Sequence, residues 1–503
     1  MKQYILTSFL LLIFVQTACS HLPGYYDPQK FEPFDPLSVE WGEHSFYRQG
    51  LIESQRHGLD RLPGASEYHL DLQIADDLIH VTGIQEVRYT NQEEVVLDEV
   101  HFRLFPNVLG GSLTISEVSI NGKSITPSYS LAESLMRLTL MPTLQPGDSI
   151  VVRIVFAVTT PTELETNYGV FASASGVLAL AHFYPVIPVY DDEGWNEEIP
   201  PEQGDVVYAD SSFFLVRVTI PKKIVLVASG IEIDNHAVNN KQVVTFAAGP
   251  ARDFYLAASP DYEVMSRTNG NITIRSYAPK DLREGAHMAL GVAEKAIADF
   301  NDRYSPYPYS EFEIISTPTN ALGIEYPGIV AIAERIYDLS DTINGVPASV
   351  ILESTVAHEV GHQWFYNLVG NNQLDEPWLD ESLTQYVTWQ YYKDQYGSSG
   401  GSGFKQSLES RWDRVGRKPI PIGMPVSEYQ DKEYGAIVYG RGAFFFDELA
   451  KKMGEATFNK FIQDYVRTYQ WDIASGDDIK LLGERYCACN LTPLFQEWIY
   501  PTP

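Results

Sequence analysis

The spacing of apolar residues changes near Pro279, and that change governs what the chain can become. From Tyr68 to Pro279, runs such as YHLDLQI, HVTGIQEVRYT, SIVVRIVFAV and SFFLVRVTI alternate or are rich in β-branched residues, the period of two of a half-buried strand. Asn121-Gly122, Pro146-Gly147 and Asn269-Gly270 mark turns between them. Beyond Pro279 the spacing becomes three and four, first in DLREGAHMALGVAEKAIADFNDRY, as on an amphipathic helix. Helices are expected over residues 347–368 and 379–396, with GSSGGSG at 397–403 as a loop. One segment cannot satisfy both periods, and 503 residues exceed one ordinary core. The prediction is a multidomain α+β chain, with an all-β, saddle- or sandwich-like domain at 63–279 and a mostly helical one at 280–503.

Lys2 followed by an apolar run from Ile5 to Val15 has the layout of a secretory signal peptide, and the run is too short to span a bilayer. Thr17-Ala18-Cys19 resembles the end of a bacterial lipoprotein signal, although Gln16 stands where Leu is usual. Residues 1–19 are therefore expected to be a leader, with export to the cell envelope and attachment to a membrane through lipidated Cys19; plain secretion is the alternative. Residues 20–62, rich in Pro and aromatics, read as a surface arm or tether. Only Cys487 and Cys489 follow Cys19; one residue between them argues against a mutual disulfide, and they are expected as small apolar side chains. Asp and Glu outnumber Lys and Arg by 66 to 36, a net charge of -30, which argues against nucleic acid as a partner.

The chemistry concentrates in His358-Glu359-Val360-Gly361-His362. Four residues apart on a helix, the two imidazoles share a face and converge on one ion, with Glu359 beside it. Glu381 in WLDESLTQY, with 18 residues between it and His362, is the candidate third ligand, which leaves a fourth position for water as in a catalytic zinc site. One Zn2+ per chain is expected. Water acidified by the metal would attack a peptide carbonyl, with Glu359 as general base. Tyr439 and Tyr434 are both candidates to donate to the oxyanion. His69, His80, His101, His182, His236 and His287 lack spaced partners and are expected to be structural.

These motifs resemble the aminopeptidase N-like gluzincin metallopeptidases, from about Tyr68 to the C-terminus. HEVGH followed by WLDES is similar to their zinc signature, SPYPYSEF at 305–312 to a segment ahead of their substrate loop, and GPARDFYLA at 249–257 to the end of their β domain. The resemblance implies a thermolysin-like catalytic domain at 280–503. It places Leu322-Gly323-Ile324-Glu325-Tyr326 on the loop that binds substrate, with Gly323 in contact and Glu325 holding the free α-amino group. It also assigns the transition-state role to Tyr439 within YGAIVYGRG. Asp380 and Ser382 stand where Asn and Gly are frequent, and the large helical C-terminal domain of many relatives has no counterpart in the sequence, which implies a more open cleft.

The leading expectation is thus a zinc aminopeptidase acting on peptides. Two alternatives are an endopeptidase with the same site and, from a different class, a catalytically silent surface lipoprotein that only binds. Cleavage of an N-acetylated peptide separates the first two, and the effect of Glu359→Gln on turnover isolates the third. The sequence is silent on oligomeric state.

Overall fold

In this computed structural model, residues 33–206 and 208–500 are described; the apolar leader and Cys19 lie outside them. The β half is built on an eight-stranded sheet whose strands run, edge to edge, 231–238, 241–251, 212–221, 67–74, 80–90, 149–159, 112–120 and 123–124. Strand alternation gives this sheet two jobs. Along Ser212–Pro221, Phe214, Val216, Val218 and Ile220 enter the core of the β half, while Phe213 and Leu215 join the core of the helical half. The sequence period therefore does more than define a sandwich: its second face is the seat of the other domain. Smaller sheets of four and three strands close the β core. At the predicted turn Asn121-Gly122, both residues have positive φ, 49° and 75°, as a tight hairpin turn requires.

The expected division after Pro279 cuts a continuous sheet. Strand Tyr262–Asn269 pairs with Ile272–Pro279, and Ile272–Pro279 pairs with Glu311–Thr317, which is followed by Ile329–Ala333 and, at the edge, Gly323–Tyr326. The period-two pattern registered strands correctly but carries no information on which sheet they enter. The 20–62 arm also differs from expectation where it is described. Tyr47 of helix α1 (Ser45–Gln49), Leu51 and Leu59 are buried in the helical half's core, and Ile52 N–H donates to Pro308 O at 2.9 Å. Its aromatics are packing groups, not the surface of a spacer.

Three helices frame the site: α2 (Arg283–Arg303), α3 (Ala348–Gly361) and α4 (Leu383–Asp413). α3 stops seven residues short of its expected end, with His362 as its C-cap. The expected loop at 397–403 is a break at one residue, Gly397 (φ 64°), after which the chain is helical again. Small side chains there let the two segments close on each other, and Trp389 Nε1 donates to Gly401 O at 2.7 Å. A further correction concerns Cys487 and Cys489, which are joined as a disulfide; the left-handed Ala488 between them (φ 48°) turns the chain enough to bring the sulfurs together.

Candidate metal centre and substrate cleft

The site is assembled from α3, the edge strand and two π-helical turns. Because α3 presents residues four apart on one face, His358 Nε2 and His362 Nε2 lie 3.1 Å apart. Glu381 Oε2 completes the group at 3.0 Å from His358 Nε2 and 3.5 Å from His362 Nε2. All three side chains are buried. His362 Nδ1 faces the Phe365 carbonyl at 3.0 Å. A carbonyl only accepts, so Nδ1 carries the proton and the Nε2 lone pair faces inward, the orientation a metal-binding imidazole takes from its outer partner.

Glu381 lies on the π turn Trp378–Ser382 and Tyr439 on a second one, Ile437–Arg441. Such turns are rare and recur at functional sites. Here they press together: Ser382 Oγ donates to Val438 O at 2.7 Å, and a Cβ on Gly442 would come within 2.5 Å of Ser382 Cβ. That contact brings the Tyr439 hydroxyl to Glu381 Oε1, to which it donates at 2.5 Å. Tyr434 packs edge-on to the Tyr439 ring, centroids 5.5 Å apart.

On the edge strand, alternation again sorts the side chains. Ile324 and Tyr326 pack into the β core, with Tyr326 stacked on Tyr255 at 4.0 Å, so Gly323 and Glu325 face α3. A Cβ on Gly323 would collide with the Glu359 carboxylate. Glu325 Oε1 is 3.9 Å from His362 Nδ1 and accepts from Gln373 Nε2 at 3.1 Å. Gln373 also donates to Asp380 Oδ2 at 2.7 Å. Gln363 locks strand to helix end, accepting from Gly328 N–H at 2.9 Å and donating to Tyr326 O at 3.1 Å. Asp205, Gln363 and Gln373 carried no spacing signal in the sequence; they are brought in by the tertiary fold.

Electrostatics mark the same place. Burial, reinforced by Glu325 and Glu381 nearby, pushes the Glu359 and Asp205 carboxyls well up, and burial also raises Glu325 despite His362. Burial and Glu381 push Asp380 up to about 8. For Glu381 burial acts upward too, but the neighbouring His362 and His358 hold it below the usual carboxylate range. Burial lowers His358 to about 4, while in His362 burial is outweighed by Glu325 and Glu381 and the imidazole is raised. So many carboxylates in one buried space call for a cation. One ligand atom each from His358, His362 and Glu381 lies within 4.8 Å of the others; so do atoms of Glu325, Glu359 and His362, and of Asp205, Glu325 and Glu381. Only the first set offers two inward imidazole nitrogens and a carboxylate, the donors zinc takes. An all-carboxylate set suits harder ions. The donor chemistry of the first set fits zinc. A cleft of about 490 Å³ opens over it, lined by Glu325, Glu359 and Tyr439 on one part and Arg411, Arg414 and Lys432 on another.

Residues 288–498 match the peptidase family M1 domain. That match and the similarity to the aminopeptidases below indicate a peptide hydrolase and point to zinc as the metal. It is 26% identical over 285 residues to aminopeptidase 2 of Candida albicans, covering 54% of this chain and 30% of that protein. It is 22% identical over 329 residues to human endoplasmic reticulum aminopeptidase 2, covering 63% and 33%. The chain thus spans about a third of the length of these relatives. The fold is similar to that of an M1 zinc metallopeptidase from Deinococcus radiodurans, with a TM-score of 0.63 at 19% identity over 87% of this chain and 95% of that one. A mutant of the Deinococcus protein has been solved with a Tyr-Ser-Ala substrate.

Proposed function

We propose that this chain is a zinc-dependent aminopeptidase that removes N-terminal residues from peptides. The observation that carries the reading is Glu325. Its carboxylate is buried next to the triad His358, His362 and Glu381, with no Lys or Arg as counter-ion among the described residues, a place that suits a substrate ammonium. Zinc, when bound by the triad, would supply a Lewis acid that acidifies water and polarises the scissile carbonyl. Glu359 takes the proton from the attacking water at its carboxylate and passes it to the departing amine. Its raised pKa makes it a receptive base. Tyr439 turns its hydroxyl from Glu381 toward the carbonyl oxygen as negative charge develops there. Gly323 leaves room for the Glu359 carboxylate and for substrate backbone. Fixing the ammonium at Glu325 sets the cleaved bond one residue from the N-terminus.

The test is hydrolysis of a peptide and of its N-acetylated form, with chelation and zinc restoration on each. Cleavage of the free peptide alone supports the reading; equal cleavage of both makes the enzyme an endopeptidase that does not use Glu325. We further propose that the chain is exported and held to a membrane through lipidated Cys19, supported by Lys2, the apolar run and the Thr17-Ala18-Cys19 order. Release of the Cys19→Ser protein from the membrane fraction would agree with this; unchanged membrane retention would not.

A further inference from the structure

The cleft carries both signs of charge. Glu325 Oε1 lies 3.9 Å from His362 Nδ1, while Arg411, which donates to Tyr439 O, lines the cleft with Arg414 and Lys432. Arg411 is fixed by Nη1 alone, which donates to Gln385 Oε1 at 2.9 Å and to Tyr439 O at 3.2 Å. Among the described residues its Nε and Nη2 have no protein acceptor, and none of Arg411, Arg414 and Lys432 has a carboxylate within 4.0 Å. The charge of Arg414 adds to burial in lowering Arg411 to about 10. With 66 acidic residues to 36 basic, Arg217, Arg275 and Arg137 are matched by carboxylates, while the buried Arg252 and Arg441, which have none, each donate to three or more backbone carbonyls; Arg411 has neither arrangement. Two neighbouring guanidiniums and an ammonium left unpaired in one cleft are the complement of an anion.

We propose that Arg411, Arg414 and Lys432 form a subsite for the C-terminal carboxylate of a short peptide, so that the enzyme's preferred substrates are free-acid tripeptides. The inference rests on the aminopeptidase reading above, which supplies the opposite pole at Glu325. Length supports it. Gln385, which holds Arg411, lies one helical turn past Glu381, about 6 Å of rise. Two residues beyond the cleaved bond span at most about 7 Å. A peptide with its ammonium at Glu325 and its scissile carbonyl over the triad would lie in the same cleft that Arg411, Arg414 and Lys432 line, within reach of its terminal carboxylate. Peptides longer than about three residues would have to leave the cleft before reaching it, and gain nothing from it.

The decisive comparison is kcat/KM for a tripeptide as free acid and as C-terminal amide, on the zinc-loaded enzyme. The free acid is expected to be preferred about 10- to 100-fold, the worth of one or two charge-assisted hydrogen bonds, through a lower KM and with the preference shrinking at high salt. Arg411→Gln should abolish the preference; exposed Arg414→Gln should reduce it severalfold and keeps the test independent of whether the half-buried Arg411 is needed for folding. Equal cleavage of acid and amide by the wild-type enzyme overturns the subsite and leaves the aminopeptidase reading intact. Cleavage of neither overturns both.

Discussion

The β half and the site treat buried charge in opposite ways. In the β half the buried Glu67 and the half-buried Asp71 have their own cations. Asp71 accepts two bonds from Arg217, at 2.8 and 2.6 Å, and Glu67 is met by Arg88 and His44. At the site, Asp205, Glu325, Glu359, Asp380 and Glu381 share His358 and His362, and among the described residues none of them has a Lys or Arg within 4.0 Å. Paired charges hold a fold in register, whereas crowded like charges destabilise it unless something binds. The contrast separates charge that builds the protein from charge that is kept for a ligand.

The largest effect should come from breaking the second kind. Chelation is expected to abolish hydrolysis and lower the melting temperature, and zinc to restore both, since a cation held only by the folded state stabilises it. Glu359→Gln should reduce kcat by about 100- to 10,000-fold with one zinc per chain still found by metal analysis; a variant with wild-type rate removes Glu359 from the chemistry. Next comes the joint between the π turns. Gly442→Ala puts a Cβ against Ser382, which must part Glu381 from Tyr439; displacement of that size costs about 100-fold in rate. Gly403, helical and with open space around its Cβ position, is the control: Gly403→Ala should keep full activity and melt no lower.

The halves also differ in how far the sequence reveals them. Helical spacing alone places His358 and His362 on one face, and the switch of period at Pro279 announces strands then helices. The metal triad is legible because two of its members are local. The sheet that crosses residue 279 is not, since strand pairing depends on partners distant in sequence. Nor are the π turns, because WLDES and IVYGR obey ordinary helical spacing and are wound wider only by packing on each other. Asp205 comes from an irregular segment of the β half, and its approach to Glu325 is a tertiary fact. Spacing alone argues against the Cys487–Cys489 link, because it takes no account of the left-handed residue between them. For the choice between Tyr439 and Tyr434, residue type was equal and only family resemblance decided.

Smaller effects sharpen the contrast. Glu325→Gln keeps shape and the bond from Gln373 but removes the charge, so the preference for free over acetylated N-termini should fall about 10- to 100-fold, mainly through KM. A preference that persists would move the ammonium to Asp205 and away from Glu325.

The smallest expected effect lies in the β half, where burial acts on a group with no role in the cleft. His69 is buried on strand Glu67–Ile74, its ring stacked on Trp41 at 4.2 Å. Burial lowers its pKa from 6.5 to about 4, with Arg88 adding and Glu67 opposing. Between those values the unfolded chain binds a proton that the folded one refuses, so stability falls as pH drops, by up to about 2 kcal/mol between pH 7 and pH 5. Denaturant unfolding of the zinc-loaded protein at the two pH values should show that loss, and His69→Gln should shrink it. If wild type and variant lose the same amount, acid sensitivity does not lie in the paired β half. It then belongs to the carboxylates and imidazoles of the site, where protonation of His358 and His362 would compete with the metal.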